Sequence, residues 1–148
     1  MRIQAATVLA AVLAALALPA AGAEWQLIRR NKDALLSVDT QSVKRNGDEV
    51  AFQYLVDLRE AQGDIKQGPQ FRSVVTQARV RCKARTISLG ESEMFVPNRG
   101  QGAAVGRSDP KKATATFSPL EKGTSDEDLW NHLCAPKDAK PKDAKAAK

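Results

Sequence analysis

"VVTQARVRCKAR", residues 74–85, alternates with a period of two: Val74, Thr76, Ala78, Val80, Cys82 and Ala84 point one way, and Val75, Gln77, Arg79, Arg81, Lys83 and Arg85 point the other. That pattern predicts a β-strand with one dry and one wet face. Four basic neighbours would turn a thiol into a reactive thiolate if they shared its side of the chain. The alternation instead puts Cys82 on the core side, away from Arg79, Arg81, Lys83 and Arg85, which form a basic row on the outer face.

The same period governs "EVAFQYLVDLRE", where Val50, Phe52, Tyr54, Val56 and Leu58 alternate with Ala51, Gln53, Leu55, Asp57 and Arg59. "WQLIRR" and "LLSVD" before it, and "RTISLGESEMFV" and "ATATFSPL" after Cys82, are shorter strand candidates. Asn31-Lys32-Asp33 and Asn46-Gly47-Asp48 read as turns, and "DTQSVK" as a single helical turn. Six strands joined by short connections suit an antiparallel meander. "TSDEDLWNHLC" breaks the period. Ser125 is the expected N-cap, Asp126, Glu127 and Asp128 favour a helix start, and Leu129, Trp130, Leu133 and Cys134 gather on one face. The expected class is α+β, a sheet of about six antiparallel strands packed by one C-terminal helix.

The chain ends bear on compartment. "MRIQAATVLAAVLAALALPAAGAEW" has a basic start, an apolar run too short for a membrane-spanning helix, and an Ala-Gly-Ala site, so residues 1–23 read as a signal peptide cleaved before Glu24. No cysteine follows that site, and a lipid anchor is not expected; the mature chain should be exported, periplasmic or secreted, without a transmembrane helix. "PKDAKPKDAKAAK" repeats Pro-Lys-Asp-Ala-Lys and has no large apolar residue, which predicts a disordered tail over 135–148. Of the net charge of +6, Arg2 supplies one and the tail, with five Lys against two Asp, supplies three, which leaves +2 on the single domain expected over 24–134.

Cys82 and Cys134 are the only cysteines, and an even pair in an exported chain reads as a disulfide. A metal site or a free thiol is the other reading, although two Cys and the single His132 fall short of four zinc ligands. No Ser-His-Asp arrangement, HExxH or Walker motif occurs, so neither enzyme nor cofactor is expected. The basic row has two readings: an anion-binding strip, or a wet face whose charges pair across strands with Glu91 and Glu93. No aromatic interleaves the row, which argues against a single-stranded nucleic-acid surface. "NRGQGAAVGRSD", residues 98–109, reads as a mobile hairpin loop whose Asn98, Arg99 and Arg107 are further candidates for partner contact.

Trp25, "SVDTQSVKRNGDEVAFQYLVDL" at 37–58, "FRSVVTQARVRC" at 71–82 and "LWNHLC" at 129–134 together resemble the bacterial surface-adhesin protein E family. The resemblance implies a small antiparallel sheet backed by a C-terminal helix with its two cysteines joined. It also implies a Gram-negative envelope protein, with host matrix or serum proteins as partners; with no catalytic motif in the chain, the expected function is non-catalytic binding of a protein or an anionic envelope polymer through the sheet face or the 98–109 loop. A soluble periplasmic or stress-associated interaction protein is the alternative function.

Overall fold

The computed structural model describes residues 22–108 and 116–135. Residues 1–21 of the signal-peptide reading, 136–148 of the tail reading, and the first part of "ATATFSPL" lie outside the described residues. Within them the chain forms β1 (Trp25–Arg30), β2 (Ala34–Asp39), β3 (Lys44–Asn46), β4 (Glu49–Gln62), β5 (Phe71–Arg81), β6 (Thr86–Phe95), β7 (Gly106–Arg107), β8 (Ser118–Pro119) and α1 (Ser125–Cys134). All pairings are antiparallel, in the order β1-β2-β4-β5-β6-β7, with β3 also on β4 and β8 also on β6. The architecture is the expected α+β meander with one C-terminal helix. Short β3 and β7 are additional strands, and Thr40-Gln41-Ser42 makes a hydrogen-bonded turn where a helical turn was expected.

Long strands β4 and β5 share a register that runs from Glu49↔Arg81 through Val50↔Val80 and Phe52↔Ala78 to Asp57↔Ser73. Each apolar phase therefore meets the other. Val50, Phe52, Ala78 and Val80, joined by Leu36 and Val38 of β2 and Ile87 of β6, form the core face on which α1 lies. Leu129, fully buried, and Leu133, one helical turn on, are the helix residues inserted there. Cys82 and Cys134 are bonded, with Cα atoms 5.4 Å apart, so the helix is stapled to the end of β5. Arg45, on the same face beside Val50, donates from Nη2 to the carbonyl of Leu133 at 2.6 Å and so satisfies an open acceptor at the helix C-terminus.

The helix cap is Thr124, one residue earlier than expected. Thr124 has extended dihedrals and its Oγ1 accepts from the backbone N–H of Glu127 at 3.3 Å, while the Glu127 carboxylate accepts from Gly123 N at 2.8 Å. In this register Asp128 reaches Arg29 at 2.6 Å and Glu127 reaches Arg85 at 3.1 Å, two ion pairs that run from helix to sheet. Thr124→Ala should lower stability by about 1 kcal/mol in thermal or urea denaturation, and Ser125→Ala by much less.

The second face of the sheet departs from simple alternation in two places. Gln77 of β5 lies opposite both Gly90 and Glu91 of β6, a bulge that shifts the alternation of β6 by one residue. A Cβ on Gly90 would sit 3.1 Å from the carbonyl oxygen of Gln77, which explains the glycine at this close approach. At the β4–β5 hairpin end, Leu55, Ser73 and Phe95 are buried on this outer face, with Val75 half-buried beside them. They are covered by a 3-10 turn, Asn98–Gly100. The segment expected to be a mobile hairpin loop thus begins as a packed cover. Ser73 Oγ donates to Pro97 O at 2.6 Å and accepts from Gly100 N at 2.9 Å, and Asp57 accepts from Arg99 N at 2.5 Å.

Candidate functional site

The part of the outer face left open lies toward the other end of β4 and β5. Register builds it from rows of side chains. Lys44, Ala51, Arg79 and Ser88 lie side by side across β3, β4, β5 and β6, and the next row toward the hairpin contains the pair Gln53↔Gln77. Long side chains at Lys44, Gln53, Gln77 and Arg79 stand around small Ala51, Ser88 and Gly90. The result is a trough of about 520 Å³ walled on one side by Gln41, Ser42 and Lys44. Past Gln53 and Gln77 lies a smaller cavity of about 150 Å³, lined by Val75, Glu91, Glu93 and Arg107.

Electrostatics divide the predicted basic row. Arg79 and Arg81 both point outward and share one carboxylate, Glu49, at 3.3 and 3.5 Å. Their guanidinium groups also lie over the ring of Phe117, at 5.5 and 3.8 Å from its centroid. An aromatic therefore joins the basic residues, supplied by a distant segment. β5 ends at Arg81, and Cys82–Arg85 form a turn in which Asp48 accepts from Lys83 N at 2.9 Å and Arg85 has φ +52°. The turn breaks the row. Arg85 swings to the helix side, where it bonds Glu127 and stacks over Trp130 at 4.2 Å. Its charge holds α1 in place.

Pairing across strands occurs, but not with the partners expected from sequence. Glu49 serves Arg79 and Arg81, while Glu93 takes Arg107 at 2.7 Å. Lys44 and Lys83 have no carboxylate within salt-bridge distance among the described residues. The Asn98 amide donates to Leu58 O at 3.2 Å and so holds its own turn, and Arg99 is exposed in the left-handed region at φ +66°. Of the seven basic or amide residues singled out from sequence, Arg79 and Arg81 line or flank the trough, Lys83 sits at the turn beyond them, and Arg107 lines the smaller cavity. Arg85, Asn98 and Arg99 lie elsewhere.

Lys44, Gln53, Gln77 and Ser88 were not singled out. The strand phase already placed Gln53 and Gln77 on the outer face, but their pairing depends on a register set by the 63–70 connection, which periodicity does not give. Both sulfurs are consumed in the disulfide, so Cys82 supplies no thiolate. Burial lowers the pKa of His132 below its ordinary value, which keeps the ring neutral at pH 7. Burial raises the pKa of Asp126, and of Tyr54 on the core face. Among the described residues no three His, Cys, Asp or Glu side chains gather as a metal site, and no helix is long and apolar enough to cross a membrane.

Comparison with known proteins agrees with this architecture. Haemophilus influenzae protein E superposes with a TM-score of 0.57 at 21% identity, covering 74% of this chain and 83% of that one. Protein E from non-typeable Haemophilus influenzae gives a TM-score of 0.57 at 20% identity, covering 80% and 81%. At this identity the likeness is one of fold. No curated protein sequence matches the chain. The family model described as surface-adhesin protein E matches residues 25–135, from the first strand through the disulfide-bonded helix, and the chain belongs to that family.

Proposed function

We propose that this chain is an exported, non-catalytic binding protein of the bacterial envelope that engages its partner through the open outer face of the sheet. The observation that carries this reading is the charge around the trough: among the described residues, three cations, Lys44, Arg79 and Arg81, stand against one carboxylate, Glu49, on a face the helix leaves uncovered. Binding sites combine a concave surface with a few convergent polar groups, and these cations would draw in acidic partners. Export rests on the signal-like pattern of residues 1–23, with cleavage before Glu24 and a solvated tail over 135–148. Host matrix or serum proteins are the partner class in keeping with the family, and anionic envelope polymers suit the cations.

Immobilised matrix proteins, heparin and lipopolysaccharide test it. Arg79→Glu with Arg81→Glu should weaken binding at least tenfold at low salt, and wild-type binding should fall as salt rises. Lys83→Glu, at the turn beyond the trough, should change it less. Absence of binding to every surface in low salt overturns the proposal. Protease treatment of intact cells separates surface display from a periplasmic role: digestion supports adhesion, and protection supports an interaction within the envelope.

A further inference from the structure

Resting on that reading of the outer face, we propose that the trough and the smaller cavity beside it together take an extended polypeptide segment bearing one acidic and one basic residue about four positions apart, rather than a polyanion. Two cavities that meet at Gln53 and Gln77 make up this strip of the outer face, the trough at one end and the smaller cavity at the other, and they differ in sign. At one end Lys44, Arg79 and Arg81 stand against Glu49, which among the described residues leaves a surplus of two positive charges. At the other, Glu91 and Glu93 stand against Arg107, which leaves one negative charge among the described residues. A polyanion entering at the first end meets carboxylates at the second, where like charges repel.

Spacing and the floor specify the segment further. From Arg79 to Val75, which pairs with Glu93, is four residues along β5, or about 13 Å at the rise of an extended strand. An extended peptide covers that distance with the same number of residues. Midway lie Gln53 and Gln77, opposite each other across β4 and β5, whose side-chain amides each carry both donor and acceptor groups. A peptide backbone presents N–H and C=O groups in turn and must satisfy both. A sulfated sugar or phosphate chain presents mainly acceptors and would leave the amide oxygens without donors.

The test uses the full mature chain, ¹⁵N-labelled, and three probes: a capped heptapeptide with Asp and Lys four positions apart and serines between, the same peptide with Lys replaced by Asp, and a heparin hexasaccharide. The mixed-charge peptide should shift the backbone amides of Gln53, Gln77, Arg79 and Gly90 at lower concentration than either polyanion. Glu91→Gln and Lys44→Gln should each weaken it about three- to fivefold, the range of one exposed ion pair. Both are surface changes of similar size, and an unchanged spectrum elsewhere verifies the fold. If the all-acidic peptide or heparin shifts these amides first and Glu91→Gln tightens it, the site is for polyanions and the proposal fails. It fails equally if no probe moves these amides. The broader reading is judged separately: matrix binding that is lost in the Arg79→Glu, Arg81→Glu protein keeps the outer face as the contact even when the trough's occupant is wrong.

Discussion

Replacing Cys82 and Cys134 together with alanine should lower the unfolding free energy by about 4 kcal/mol, from the loop-closure entropy that a link across 52 residues removes from the unfolded chain. For a domain of this size that is about 15 °C in melting temperature, and a large part of the stability a single small core supplies. The loss should be uneven. Leu129 stays inserted among Leu36, Val38, Val50, Phe52 and Val80, but the last turn of α1 then depends on Leu133 and the Arg45 bond to its carbonyl. Hydrogen exchange at the end of α1 should therefore accelerate before exchange in β4 and β5 does. Urea denaturation of the double variant against wild type measures the total. A loss below about 1 kcal/mol would show that the helix docks without help from the link.

The two long strands and the disulfide were legible because each follows from a constraint local to the sequence. Period two in residues 50–58 and 74–82 records one buried face, and two cysteines with no third to compete leave one possible disulfide within the chain. What escaped depends on how distant segments meet. The bulge at Gly90 and Glu91 follows from the pairing of β5 with β6, and Phe117 reaches Arg81 only because β8 returns to the far end of β6. Arg85 reads as part of the outer row until the turn at Cys82–Arg85 sends it to Glu127 and Trp130. The helix start moved by one residue because Thr124 and Ser125 both make good caps and three consecutive acids fit either register. For the site, sequence located the outer face and two of its cations. The trough itself needed the register that sets Lys44 beside Ala51 and Gln53 beside Gln77.

Gly100→Ala should cost about 2–4 kcal/mol, an effect that glycine richness of the loop does not by itself predict. Gly100 has φ +62°, and a Cβ there would lie 2.7 Å from Val75 Cγ2, 3.8 Å from Phe95 Cε2 and 3.9 Å from Leu55 Cδ1. Two costs combine: the left-handed backbone disfavours any L side chain, and the methyl overpacks the small outer core. Gly102→Ala separates them. Its φ is +82°, but its nearest new contact is Pro97 Cγ at 4.0 Å, so it carries the backbone cost of about 1–2 kcal/mol without the clash. Urea midpoints of the two variants should therefore differ, with Gly100→Ala the lower, and equal midpoints would mean that the cover does not press on Val75. Arg99→Ala completes the comparison. Its backbone N–H, bonded to Asp57, survives the substitution, and its exposed side chain makes no ion pair or hydrogen bond among the described residues. Stability should then change by less than about 0.5 kcal/mol, apart from the left-handed φ that alanine tolerates no better than arginine. The two neighbours have different duties: Gly100 seals the outer core that fixes the hairpin end of β4 and β5, whereas the Arg99 side chain is left to the solvent.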